Sequence, residues 1–165
     1  MRRAAPRRRI DPIARFMQEH DEALVQLAAL SKASRSIAEE GFSMDAFRRL
    51  RDAVAFVENE VGFHNLREEE ALFPVLERYV EGPTELMREE HRTLKREFAR
   101  LRRAFRRLEQ RHSSRAAAER VAAISRGIVQ LMVNHIHKEN HILFPLVQKF
   151  LTRDALREIA RRLTA

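Results

Sequence analysis

Apolar residues recur along this chain every three or four positions, in four long stretches separated by short breaks. The first stretch carries Ile13, Phe16, His20, Leu24 and Leu27 on one face, and the second Phe47, Leu50, Val54, Val57, Val61, His64, Glu68, Leu72 and Val75. The third gives Met87, His91, Leu94, Phe98, Leu101 and Phe105; the fourth gives Val121, Ile124, Ile128, Leu131, His135, Glu139, Ile142 and Leu146. This is the period of amphipathic helices. The breaks agree with it. Asp11 stands as an N-cap before Pro12, Gly41-Phe42-Ser43 ends the first helix and caps the second, and Thr84 is expected to cap the third after Gly82-Pro83. His112-Ser113-Ser114 forms the next turn, and Thr152 precedes a short amphipathic helix from Asp154 to Leu163. The predicted fold is all-α, an up-down-up-down antiparallel four-helix bundle with a short C-terminal helix. It divides into a basic tail over residues 1–10, the bundle over 11–150 and the C-terminal helix over 151–165. The second helix is expected to reach about Tyr79, with Pro74 and Pro145 kinking their helices so that the ends fold across the bundle.

Six positions of these stripes are polar, and they repeat. His64-x-x-x-Glu68-x-x-x-x-Phe73-Pro74 recurs 71 residues later as His135-x-x-x-Glu139-x-x-x-x-Phe144-Pro145, and Glu19-His20 recurs at the same offset as Glu90-His91. Two sets of three follow: His20, His64 and Glu68, and His91, His135 and Glu139. Their heights match as well. In a helical hairpin, residues equidistant from the turn face each other; His20 and His64 average to position 42, and His91 and His135 to position 113, each inside its turn. The bundle then gathers all six.

An ionised carboxylate in an apolar stripe is very costly unless it is paired. Residues at i and i+4 are displaced by ~40° and ~6 Å along a helix, so both side chains of His-x-x-x-Glu point into the same space. Four imidazoles and two carboxylates able to bridge make chemical sense around a pair of cations. Any one of these histidines alone reads as an ordinary core or surface residue; the shared offset and the matching Phe-Pro sequels favour metal ligation for the set. Glu19 and Glu90 stay open between groups that support the ligands or donate protons and a solvated helix face. His137 and His141 point ~200° away from His135 and Glu139, respectively, and read as surface residues, as does His112 in its turn. Tyr79, which aligns with Phe150 in the repeat, reads as packing.

Composition narrows the chemistry. Cysteine is absent, which excludes disulfides, thiolate zinc, iron–sulfur ligation and thiol catalysis, and leaves nitrogen and oxygen donors suited to iron, manganese or zinc. No apolar run approaches the ~20 residues of a membrane span, and no secretory signal is evident, so a cytoplasmic protein with no membrane partner is expected. The net charge is +8, with Arg2, Arg3, Arg7, Arg8 and Arg9 in the tail and a second basic run from Arg88 to Arg111. Glu85 precedes that run and Glu89, Glu97 and Glu109 interrupt it, and no nucleic-acid-binding motif accompanies it; a solvated face is preferred to a nucleic-acid surface.

The two H-x-x-x-E…F-P motifs resemble those of the hemerythrin-like, or HHE cation-binding, family, over about residues 12–150. The resemblance implies a four-helix bundle around a non-haem di-iron centre, oxo- or hydroxo-bridged, that reacts with dioxygen, nitric oxide or peroxide. Carried over by position, His20 and His64 bind one iron, His91 and His135 the other, and Glu68 and Glu139 bridge them; a mixed or non-iron pair stays open. The oxygen carriers of the family have a further histidine where this chain has Lys95, and a bridging carboxylate where it has Asn140. The match is closer to the four-His, two-Glu branch, which includes the iron–sulfur cluster repair proteins; those usually carry a cysteine-containing N-terminal domain, where the sequence here shows a short Arg-rich tail. Ferritin-like centres need Glu-x-x-His on two helices, whereas the one match here, Glu109-x-x-His112, runs into a turn. The expected function is binding, sensing or detoxification of a small oxidant at a di-iron centre, with turnover left open. The alternative is an iron-dependent module that docks nucleic acid or an acidic partner through the basic surface.

Overall fold

The computed structural model describes residues 11–164, so the basic tail over 1–10 lies outside the described residues. All regular structure among the described residues is helical. Helix α1 spans Pro12–Glu40. Helix α2 covers 44–76 and is continuous, with wide π-helical turns at Val57–Val61 and Glu68–Leu72. Helix α3 is Thr84–Gln110. Helix α4 covers 115–150, with one π-helical turn at Glu139–Leu143, and α5 is Arg153–Arg162. The four long helices form an antiparallel bundle in which each packs on the next and α4 closes back on α1.

Local chemistry sets the ends. Asp11 accepts hydrogen bonds from the Ile13 and Ala14 backbone N–H groups at 3.0 and 3.4 Å, a cap worth about 1 kcal/mol. Ser43, Ser114 and Thr152 each accept from the N–H three residues on, at 3.2 Å. Gly41 ends α1 at φ 96°, a conformation open to a residue without Cβ. Thr84 departs from expectation. Pro83 occupies the cap position, Thr84 is the first helical residue, and its hydroxyl instead donates to Glu77 at 2.7 Å.

The expected proline kinks take a specific form. Each helix widens into a π-turn that begins at the motif glutamate, Glu68 or Glu139, and ends just before Phe-Pro. Proline has no N–H to offer the carbonyl four residues back. For Pro74 that carbonyl belongs to Glu70, and Arg162 of α5 donates to it at 3.3 Å. The inserted turn also shifts the apolar phase: Leu143 is buried while Ile142 is half exposed. Leu24 and Leu131 likewise face outward, and Ala23 and Met132 take the inner positions.

Two apolar cores result. The longer fills the bundle from Ala23, Val61, Leu94 and Ile136 toward the turns at 41–43 and 111–114. The shorter, built from Ile13, Phe16, Leu76, Met87, Phe144 and Ile159 with their neighbours, closes the other end under α5. The six repeated polar residues form the layer between them.

Candidate metal centre

The structure brings all six repeated residues together, each no more than 6% exposed, and Glu68 and Glu139 fully buried. They form two overlapping groups, His20, His64, Glu68 and Glu139, and Glu68, His91, His135 and Glu139; within each group the ligand atoms lie within 4.8 Å of one another. Both carboxylates belong to both groups, the arrangement two bridging groups require. The Phe-Pro phenylalanines serve as walls: Phe144 stacks on His20 with ring centroids 5.4 Å apart, and Phe73 stacks on His91 at 5.8 Å.

A ring of acceptors surrounds the histidines. Nδ1 of His64 lies 2.7 Å from a Glu19 oxygen, and Nδ1 of His135 lies 2.8 Å from a Glu90 oxygen. Nδ1 of His91 lies 2.7 Å from Glu69, and Nδ1 of His20 lies 2.7 Å from Asn140 Oδ1. Each helix thus presents an acceptor to a histidine of the next, with α4 returning to α1. An ionised carboxylate or an amide oxygen can only accept, so each Nδ1 carries the hydrogen and each neutral imidazole turns its Nε2 lone pair inward.

Those lone pairs meet. The Nε2 atoms of His20 and His64 are 2.9 Å apart, and those of His91 and His135 are 3.1 Å apart. All four oxygens of Glu68 and Glu139 are buried without a hydrogen-bond partner, although imidazole nitrogens approach within 2.9 Å, as between His20 and Glu139. Four lone pairs and two carboxylates converging in an apolar bundle repel one another unless cations sit between them. In the metal-free chain protons serve that role. Burial works to depress His64, but Glu68, Glu19 and Glu139 overcome it and raise its pKa to about 10. Burial likewise opposes protonation of His91, and Glu139 and Glu68 raise it to about 10. Burial of Glu139 is outweighed by His135, His20 and His91, which hold its carboxyl well below the ordinary range. The same field selects a multivalent cation, and the donor set of imidazole and carboxylate suits iron, manganese or zinc.

The site has two approaches. A cavity of about 220 Å³ reaches His20, His64 and His135, with Ala23, Val61 and Met132 among its apolar walls and Asn65 beside them. Asn65 is buried with its Oδ1 unpartnered. Between α2 and α3, a groove of about 470 Å³ reaches His91 and Glu69 past Lys95, and Asn65 lines it as well.

The sequence located the six inner residues. It left Glu19 and Glu90 open, and the structure places both against ligand histidines. Glu69 and Asn140 were missed as histidine partners, although they too are 71 residues apart. His137 and His141 lie on the surface, against each other with centroids 4.3 Å apart. His112 is exposed but also stacks on Phe42 at 4.1 Å.

A bundle with this donor layer has two carboxylate-sharing clusters able to hold a pair of metal ions. The sequence profile of the Hemerythrin HHE cation binding domain matches residues 11–147, most of the chain, and matches again over 82–164, beginning 71 residues later in the register of the internal repeat. The chain belongs to that family. No curated protein matches it.

Proposed function

We propose that this chain is a non-haem di-iron protein that binds a small oxidant (dioxygen, peroxide or nitric oxide) and acts to sense or remove it. The observation that carries the reading is the convergence of four inward Nε2 atoms on two buried carboxylates that have no other partner. His20 and His64 would hold one ion, His91 and His135 the other, with Glu68 and Glu139 shared. Iron there supplies a redox-active Lewis acid, and six protein ligands over two ions leave positions for an exogenous molecule. The chain's own residues then do four things. The outer acceptors fix the imidazole tautomers, the apolar cores exclude bulk water, and the 220 Å³ cavity admits a small molecule but not a large one. Asn65, at its wall, offers an amide to whatever enters.

The test is titration of iron-loaded protein with peroxide, nitric oxide and dioxygen under absorption spectroscopy. A stoichiometric spectral change with one of them, absent from His64→Ala, supports the reading; spectra indifferent to all three sink it. Repeated cycles with a reductant separate turnover from binding.

A second reading has one observation behind it. Arg103, Arg106, Arg107 and Arg111 are exposed toward the C-terminal end of α3, without an acidic partner among the described residues. An iron-dependent docking module would use them. It predicts binding to nucleic acid or an acidic protein that survives physiological salt and disappears on chelation; binding that ignores metal counts against it.

A further inference from the structure

The repeat makes the two halves of the centre comparable position by position, and they differ outside the ligands. Around His91 and His135 both histidine partners are carboxylates, Glu69 and Glu90. One directly paired cation offsets them, Lys138 on Glu90; Arg88, which also feels the charge of Glu69, is itself paired to Glu77. Around His20 and His64 one partner is a carboxylate, Glu19, and the other is the neutral amide of Asn140. Two guanidiniums bear on Glu19: Arg15 at 3.2 Å and Arg67 at 3.0 Å. Arg67 corresponds to Lys138 across the repeat, but Arg15 corresponds to Leu86 and Asn140 to Glu69. Both departures act in the same direction, leaving the immediate surroundings of His20 and His64 more positive by two charges.

A carboxylate accepting the Nδ1 hydrogen makes Nε2 a stronger donor to a metal, whereas an amide oxygen does so less. More distant charges run the other way, with Glu22 and Glu60 beside the cavity and Arg92, Lys95 and Arg102 along the groove. Those five are solvent-exposed and screened, so the hydrogen-bonded groups dominate. Building on the di-metal reading above, we infer that the two positions are unequal: the one held by His91 and His135 fills first and more tightly, and the one held by His20 and His64 fills second. Glu69 and Asn140 are the positioning residues that set the order. At limiting metal the chain then holds one ion, with the second position free to take a different one, which is a route to a mixed pair.

The test is an anaerobic Co(II) titration of the full-length chain, followed by ligand-field absorption. The wild type is expected to fill in two resolved phases, with His91→Ala removing the tight phase and His20→Ala the weak one. Each half's residue is then written into the other. Glu69→Asn should weaken the tight phase by about 10- to 100-fold, the range for loss of a group that orients a ligand, and bring the phases together. Arg15→Leu should strengthen the weak phase by up to about fivefold, the scale of a partly exposed ion pair. Circular dichroism confirms that each variant is folded, and the two swaps act on opposite positions, so failure of one to fold leaves the other decisive. A single wild-type phase, a folded Glu69→Asn chain that keeps its full gap or, where that variant does not fold, an Arg15→Leu chain whose weak phase is unchanged, overturns the inference and leaves the di-metal reading standing. A wild type that binds no cobalt overturns both.

Discussion

The inner and outer rings of the centre share one duplicated scaffold and differ in how closely their halves match. Inside, His20, His64 and Glu68 are answered residue for residue by His91, His135 and Glu139. Outside, Glu19 is answered by Glu90, but Glu69 by Asn140 and Arg15 by Leu86. Each member of the inner ring brings a donor atom into a buried layer, so a change to a residue without a donor would leave a gap there. The outer ring acts through a hydrogen bond, which an amide oxygen can also accept, though more weakly and without the carboxylate's charge. Residue type is therefore symmetric where donor atoms converge, and charge is asymmetric around them.

The sharpest break in that comparison is to remove a shared carboxylate. Glu139→Ala should abolish metal binding at both positions, because Glu139 belongs to both ligand groups; metal analysis after gel filtration checks it. His91→Ala, by contrast, should leave one ion bound. A step outward, Glu90→Gln should weaken one position by roughly 10- to 100-fold without unfolding the chain, read by competition with a calibrated chelator.

Proton linkage separates the bare from the loaded centre. The folded-state pKa values of His64 and His91 are raised to about 10. Their contribution to the metal-free fold is therefore complete below the unfolded value of about 6.5 and lost as pH rises toward 10. Glu139 is shifted in the opposite sense, and its contribution is lost as pH falls through the acid range. Metal competes with those protons, so its affinity climbs with pH. Thermal melts should show the chelated protein weakening between about pH 6.5 and 10, while metal-loaded protein gains relative to it over the same interval. The smallest effect belongs to the surface pair: His137→Ala with His141→Ala should change stability by less than about 0.5 kcal/mol and leave metal content untouched.

How legible all this was depends on whether a contact lies within one helix or between two. The bundle, its caps at Asp11, Ser43 and Thr152, and the six inner residues follow from helical period and a repeated offset, both of which a linear sequence carries. Glu69 and Asn140 do not follow from it. On a regular helix each lies ~100° round from the preceding glutamate, and its partner is on a neighbouring helix, so no periodicity marks the contact. The π-turns were equally hidden. Proline announces a break in hydrogen bonding, but not that the helix absorbs it by widening from Glu68 and Glu139 onward. That widening explains why Ile142, placed inside by its period, faces out. Thr84 shows the limit of cap signals: with Pro83 before it, the helix starts one residue earlier than a threonine cap would require, and the hydroxyl turns to Glu77 instead.

The most direct test of the central claim is the iron content of protein purified from iron-supplemented cells, compared between wild type and His64→Ala. Two ligand groups joined by shared carboxylates predict two irons per wild-type chain and a clear loss of iron in the variant. A well-folded wild type that carries no iron, or a variant that carries as much as the wild type, would contradict the account.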